Sequence, residues 1–147
     1  MPNISLQVGV KALLYNTSRQ FLLIKRSAKY SRLVGQWDLP GGRMEPGTNL
    51  LTNLVREIRE ETGLTMAYQP ILLAAQDIFT KDNHHIVCLT YLSRAKGAVT
   101  LNPDESRDYK WCSWTDLTRH KNLDPFLKEI IRQVPLPLQK LLQPERA

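Results

Sequence analysis

The stretch from residue 41 to 64 constrains this chain more than any other. Gly41-Gly42 opens a turn, a helical pattern follows, and Glu57, Glu60 and Glu61 crowd its last turns ahead of Gly63. At about 100° per residue, positions i, i+3 and i+4 share one arc of a helix, so the glutamates are expected to point the same way. Like charges at that spacing weaken a helix unless a cation sits among them. A hard divalent cation with oxygen ligands is the first candidate, and Mg²⁺, which takes a few carboxylates together with substrate phosphates, suits the set best. The bland alternative is a solvated acidic helix end. Against it, Leu51, Leu54, Val55 and Ile58 recur at helical spacing beside the acids, which predicts one face on a core and an acidic face adjoining it. Arg56 stands four residues before Glu60 and can pair with it. The helix is expected to begin at an Asn49 cap, run to Thr62 and end at Gly63.

Around this centre the hydrophobic pattern alternates. Ile4 to Tyr15 and Phe21 to Lys25 read as strands, with Asn16, Thr17 and Ser18 as the turn of a hairpin. Trp37-Asp38-Leu39-Pro40 is a short extended piece entering the glycine turn. Ile71 to Phe79, Ile86 to Ala95 and Tyr109 to Ser113 are further strands, and Phe126, Ile130 and Ile131 mark a last amphipathic helix that Pro135 stops. This order of elements predicts an α/β sandwich of the α+β kind. Residues 135–147, with their Leu and Pro, read as a loosely packed tail outside a domain of residues 1–134.

A chain of 147 residues suits one domain with a single core. Its 42% hydrophobic and 23% charged residues exclude a disordered or membrane-embedded class. No stretch approaches the ~18 apolar residues of a membrane span, and the start lacks a signal peptide's basic and apolar regions, so a cytoplasmic protein without a membrane partner is expected. Cys88 and Cys112 lie in apolar strand-like segments and read as buried free thiols. The net charge of +6 is scattered from Lys11 to Arg146 with no basic run interleaved with aromatics. That distribution argues against nucleic acid and for a small anionic partner such as a nucleotide.

With these residues in view, the run from Gly42 to Leu64 resembles the Nudix box. Gly42, Arg56, Glu57, Ile58, Glu60, Glu61, Gly63 and Leu64 occupy the matching positions, and spacing, residue type and the loop-then-helix context all agree. One position departs: Thr48 stands where the family has its first glutamate, usually a salt-bridge partner of the box arginine, which bears on the rigidity of the loop. The resemblance implies a mixed sheet between helices and the hydrolysis of a nucleoside diphosphate linked to another group, by attack of water on a phosphorus of the P–O–P bridge. Such chemistry needs charge neutralisation on the phosphates and an oriented water.

The resemblance also assigns roles. Glu60 and Glu61 match the principal metal ligands, Glu57 a ligand or base, and the Gly41 carbonyl a backbone ligand, for Mg²⁺ with Mn²⁺ able to substitute. Glu105, six residues ahead of Trp111, matches a loop glutamate that serves as ligand or base; it reads equally well as an exposed loop acid. Arg26 and Gly42 fall on the substrate side, although an edge-strand arginine is also often solvated. Trp37 can stack a base or serve the core. His84 and His85 are neighbours whose side chains should diverge. The substrate implied is a nucleoside triphosphate or modified nucleotide, hydrolysed by a monomer or homodimer of the MutT-like housecleaning kind. A catalytically weak module that binds nucleotide or RNA is the alternative, with Thr48 as its one support.

Overall fold

Strand β1 (Ser5–Tyr15) sends Val10, Ala12 and Leu14 to one side of a sheet and Leu13 to the other, because successive side chains of a strand point to opposite faces. All four are fully buried, as expected of a central strand covered on both sides. The computed structural model describes residues 3–27 and 35–142. The outer ends of the expected domain and tail, residues 1–2 and 143–147, lie outside them.

β1 runs parallel to β6 (His84–Lys96) along its whole length, from Ser5↔His84 to Tyr15↔Arg94. Its other side pairs antiparallel with β4 (Gly41–Arg43) and, at Tyr15↔Phe21, with β2 (Phe21–Arg26). β2 carries β3 (Trp37–Asp38) and β7 (Ser106–Cys112), both antiparallel, while β5 (Thr65–Phe79) closes the far side against β6. The result is a mixed seven-stranded sheet. The β1–β2 turn is held by Asn16, whose Oδ1 accepts the N–H groups of Ser18 and Gln20 at 3.0 Å, the local bonding that makes asparagine a turn residue.

Helix α1 (Leu50–Thr62) covers one face, with Leu54 and Ile58 against Val10, Ala12, Leu22 and Ile24. Asn49 caps its start by accepting from Thr52 N at 2.9 Å, and the Gly63 N–H closes its end on Arg59 O at 2.9 Å. The opposite face is covered by α2 (Trp114–Arg119), α3 (Pro125–Gln133) and α4 (Leu136–Leu142), which bring Trp114, Leu127, Ile131 and Leu142 onto Leu13, Phe21 and Leu23. The expected sandwich of a mixed sheet between helices is therefore present. Cys88 and Cys112 are buried and free. Among the described residues no helix is long and apolar enough to cross a membrane.

Three expectations need correction. Leu51 and Val55 do not pack on the core; they are 40% and 46% exposed. The helix is rotated so that Leu54, Ile58 and Glu61 form the inward stripe, and a stripe centred there leaves positions 51 and 55 toward its outer edge. Pro135 does stop α3, but the next residues are not a loose extension: they form α4 and bury Leu142 in the core. Finally, α2 was not foreseen, since its six residues are too few to show a helical period. It is set by the Ser113 cap, which accepts from Asp116 N at 3.1 Å, and by the burial of Trp114 and Leu117.

Candidate active site

The glycine turn is built into the sheet as β4, and Gly41 is required by the backbone while Gly42 makes room for a side chain. Gly41 has φ +151°, and a Cβ there would fall 2.1 Å from the Val10 carbonyl oxygen, so no other residue fits beside β1 without moving the strand. A Cβ on Gly42 would stand 2.9 Å from Glu57 Oε2; the space left by the missing side chain is where the Glu57 carboxylate sits. The Gly41 N–H donates to Glu61 Oε2 at 2.8 Å. Strand β4 thus seats two carboxylates of α1.

The three glutamates of the helix spread over its arc instead of converging. Glu61 lies on the inward stripe with its side chain 4% exposed, Glu57 is half-buried beside it, and Glu60 at the outer edge is 55% exposed. Steps of 100° carry position 60 well away from 61 on the circle. The cations among them are guanidinium groups. Arg26 Nη1 lies 3.4 Å from Glu61 Oε1, and Arg56 lies 3.6 Å from Glu57, 3.7 Å from Glu60 and 3.9 Å from Glu45. Among the described residues no three acidic, histidine or cysteine side chains already stand at the spacing of a metal cage. Burial pushes Glu61 up to about 7, with Glu105 and Glu57 adding to the effect while Arg26 and the Gly41 N–H oppose it. Glu57 is likewise raised by burial, against the pull of Arg56 and with Glu60, Glu105 and Glu45 reinforcing it.

These groups line a cavity of about 570 Å³. Gly41, Gly42, Arg26, Glu57, Glu61 and Glu105 are on its wall, facing Ile78, Ile86 and Cys88, with Lys11 between. Glu105 is held there because its carbonyl accepts from Ser27 N at 3.0 Å, tying the loop before β7 to the end of β2. Its Oε2 is buried and has no hydrogen-bond partner among the described residues, an arrangement that costs free energy until a proton donor or cation meets it. Two expected residues do not line the cavity. Glu60 faces outward, and Trp37 packs against the core with Lys110 Nζ 4.3 Å and Lys25 Nζ 5.5 Å from its ring centre. The histidines diverge as expected: His84 approaches Gln7 and Asp82, while His85 bonds Asp77 at 2.7 Å and stacks on Phe79.

Sequence reasoning missed two features of this site. Lys11 donates to Asp38 Oδ2 at 2.7 Å under the cavity floor. Burial opposes charge on both, yet Asp38 holds the Lys11 ammonium above its ordinary pKa, and Lys11 with Arg26 holds the Asp38 carboxyl below its own. The other feature is Asn53, fully buried in α1. Its Oδ1 accepts from Arg56 Nη2 at 2.9 Å and from Glu45 N at 3.3 Å, and the Thr48 hydroxyl, which donates to Glu45 O at 2.8 Å, stands 3.3 Å away. One amide oxygen therefore ties the loop to Arg56. The only hint in the sequence is a weak helix former inside a helix.

The NUDIX domain family model matches residues 5–134. The chain belongs to the Nudix family. A MutT Nudix hydrolase of Burkholderia pseudomallei superposes with a TM-score of 0.76 at 28% identity, covering 89% of this chain and 99% of that one. The MutT protein of Methanosarcina mazei Go1 gives 0.77 at 27% identity, with coverage of 90% and 95%. Among curated relatives, the "Putative 8-oxo-dGTP diphosphatase" of Bacillus subtilis (strain 168) is 35% identical over 105 residues, 71% of this chain and 65% of its own length. The human "Nucleoside diphosphate-linked moiety X motif 6" is 26% identical over 131 residues, 86% of this chain and 40% of its own. This Nudix chain thus spans from 40% to 65% of the length of those two relatives. Arg56 is tied to the loop through Asn53, whose Oδ1 also accepts from Glu45 N.

Proposed function

We propose that this Nudix chain hydrolyses the P–O–P linkage of a nucleoside diphosphate derivative, with a nucleoside triphosphate or modified nucleotide as its small-molecule partner, and that it uses Mg²⁺, for which Mn²⁺ can substitute. The observation that carries the reading is the sharing of one cavity by Glu57, Glu61, Glu105, Lys11 and Arg26. The donor set fits a hard cation, since it offers only oxygen and includes the orphaned Glu105 Oε2. Glu57, Glu61 and Glu105 with the Gly41 carbonyl would hold the ion, and Glu60 would join from the outer edge of the arc. Once bound, such an ion neutralises charge on the bridging phosphates and lowers the pKa of a coordinated water.

The chain's own groups supply the rest. Arg26 and Lys11 set positive charge against the phosphates, and Arg43 adds to it at the cavity mouth. A carboxylate must take the proton of the attacking water, and Glu105 and Glu57 are the candidates: Glu105 has an oxygen with no competing donor among the described residues, and Glu57 has a raised proton affinity. Ile78, Ile86 and Cys88 give the remainder of the nucleotide an apolar wall. The name carried by the Bacillus subtilis relative supports a purine nucleoside triphosphate as the first substrate to try.

The test is release of phosphate or pyrophosphate from a panel of ordinary and oxidised nucleotides with Mg²⁺, run beside Glu61→Gln. Turnover by the wild type and its loss in the variant support the assignment. Tight nucleotide binding with no release from any member would favour the catalytically silent alternative.

A further inference from the structure

A second concavity lies where α2, the α2–α3 connection, α3 and α4 meet. Its volume is about 610 Å³, and it shares no lining residue with the carboxylate cavity. Leu117, Leu123 and Ile131 form a buried apolar floor. Lys121, Lys128 and Arg132 stand exposed around it, and no carboxylate is among the lining residues. None of these cations has an ion-pair partner among the described residues. Asp124 caps α3 through Phe126 N and Leu127 N, and Glu129 Oε1 accepts from Gln133 at 3.4 Å. Lys128 and Arg132 sit one turn apart on the same helix, where like charges repel.

The His120 edge of the concavity supplies an independent sign. Its Nε2 lies 2.6 Å from Lys110 Nζ, while the Asn122 N–H approaches Nδ1 at 3.0 Å. A neutral imidazole has a single lone pair to accept with. One of the two contacts is therefore left donor against donor, and an oxygen anion beside the ring would supply the missing acceptor. Burial and Lys110 both lower the proton affinity of His120, so the neutral ring is favoured.

We propose that this concavity is a second anion site, taking a phosphate monoester that carries a compact apolar or aromatic group. Phosphate monoester oxygens are nearly doubly charged at neutral pH and answer several cations at once. The apolar floor asks for a body that inorganic phosphate lacks. A polynucleotide backbone would meet the cations without using the buried floor of Leu117, Leu123 and Ile131, so the floor favours the compact monoester. The cations of the concavity lie within one stretch, Lys121 to Arg132, where apolar residues separate them, so the sequence shows no basic run there.

The experiment follows the His120 ring resonances of the full chain by NMR while phenyl phosphate, inorganic phosphate or a single-stranded oligonucleotide is added at constant ionic strength. The chain has three histidines, so His120→Gln assigns the signal. Saturable shifts with phenyl phosphate are expected, with inorganic phosphate binding at least about tenfold more weakly. Lys128→Gln and Arg132→Gln should each weaken phenyl phosphate about tenfold, whereas Glu57→Gln in the other cavity should leave its affinity unchanged. A response no larger than that to chloride would overturn the proposal. So would a loss of the response in Glu57→Gln, or an oligonucleotide that binds more tightly through the same lysines.

Discussion

Replacing Asn53 by alanine should cost this domain about 2–4 kcal/mol, although the residue touches no substrate. The amide oxygen removed accepts from the Arg56 guanidinium and the Glu45 N–H. A hydrogen bond to a charged group contributes about 1.5–3 kcal/mol and a buried donor left unmet adds about 1 kcal/mol or more, while removal of Asn53 Nδ2, buried and without a partner among the described residues, offsets part of that. For a chain of this length, about 2–4 °C of melting temperature accompanies each kcal/mol, so a fall of about 5–15 °C is expected in thermal or urea denaturation. Thr48→Glu then discriminates the cause. In the wild type Arg56 is already engaged by Asn53 and three glutamates, and a further partly exposed pair should add about 0.5 kcal/mol at most. In the Asn53→Ala background the new carboxylate finds an arginine with its main anchor gone, and it should recover about 1 kcal/mol or more, a coupling typical of residues that share a partner. An Asn53→Ala protein that melts within about 1 °C of wild type, or a Thr48→Glu gain equal in both backgrounds, would refute the view that Asn53 replaces the box glutamate.

Three further outcomes follow from the site. Glu61 is raised from 4.5 to about 7 by burial, so the folded state holds its proton more tightly than the unfolded chain; that stabilisation is complete below pH 4.5 and is lost as pH rises through 7. At ~1.4 kcal/mol per unit the difference is about 3 kcal/mol, so without metal Glu61→Gln should abolish much of the fall in stability between pH 4.5 and 7, and equal slopes in urea titrations would contradict the burial argument. Glu105→Gln should lower kcat by about 10²-fold or more with little change in KM, the scale for a positioned acid–base group; an effect no larger than that of Asp104→Asn in the same loop would remove Glu105 from the chemistry. Gly42→Ala places a methyl 2.9 Å from Glu57 Oε2, so turnover should fall while the melting temperature drops by only a few degrees, and full activity would show that Glu57 is not needed where it stands.

The sequence by itself determined the helix of the box, its caps and its acidic content, because these depend on local periodicity and on side-chain bonds within a few residues. It also determined the layered class, since strands and helices alternate in an order that only a sandwich can bury. The pairing of β1 with β6 in parallel and with β4 and β2 on its other side was not legible, because partners lie as far apart as Ser5 and His84. The same distance hid the placing of Glu105 beside Glu57 and Glu61, and of Lys11 and Arg26 within the cavity. Rotation of α1 about its own axis was decided by packing alone: the period predicts an arc, but the sheet chose Glu61 over Leu51 and Val55 for the inside, by offering Glu61 the Gly41 N–H and Arg26. Trp37 went the other way, into the core between two lysines. An absent glutamate at Thr48 can be read from one line of residues, whereas its replacement by Asn53 required the loop and the helix to be folded against each other.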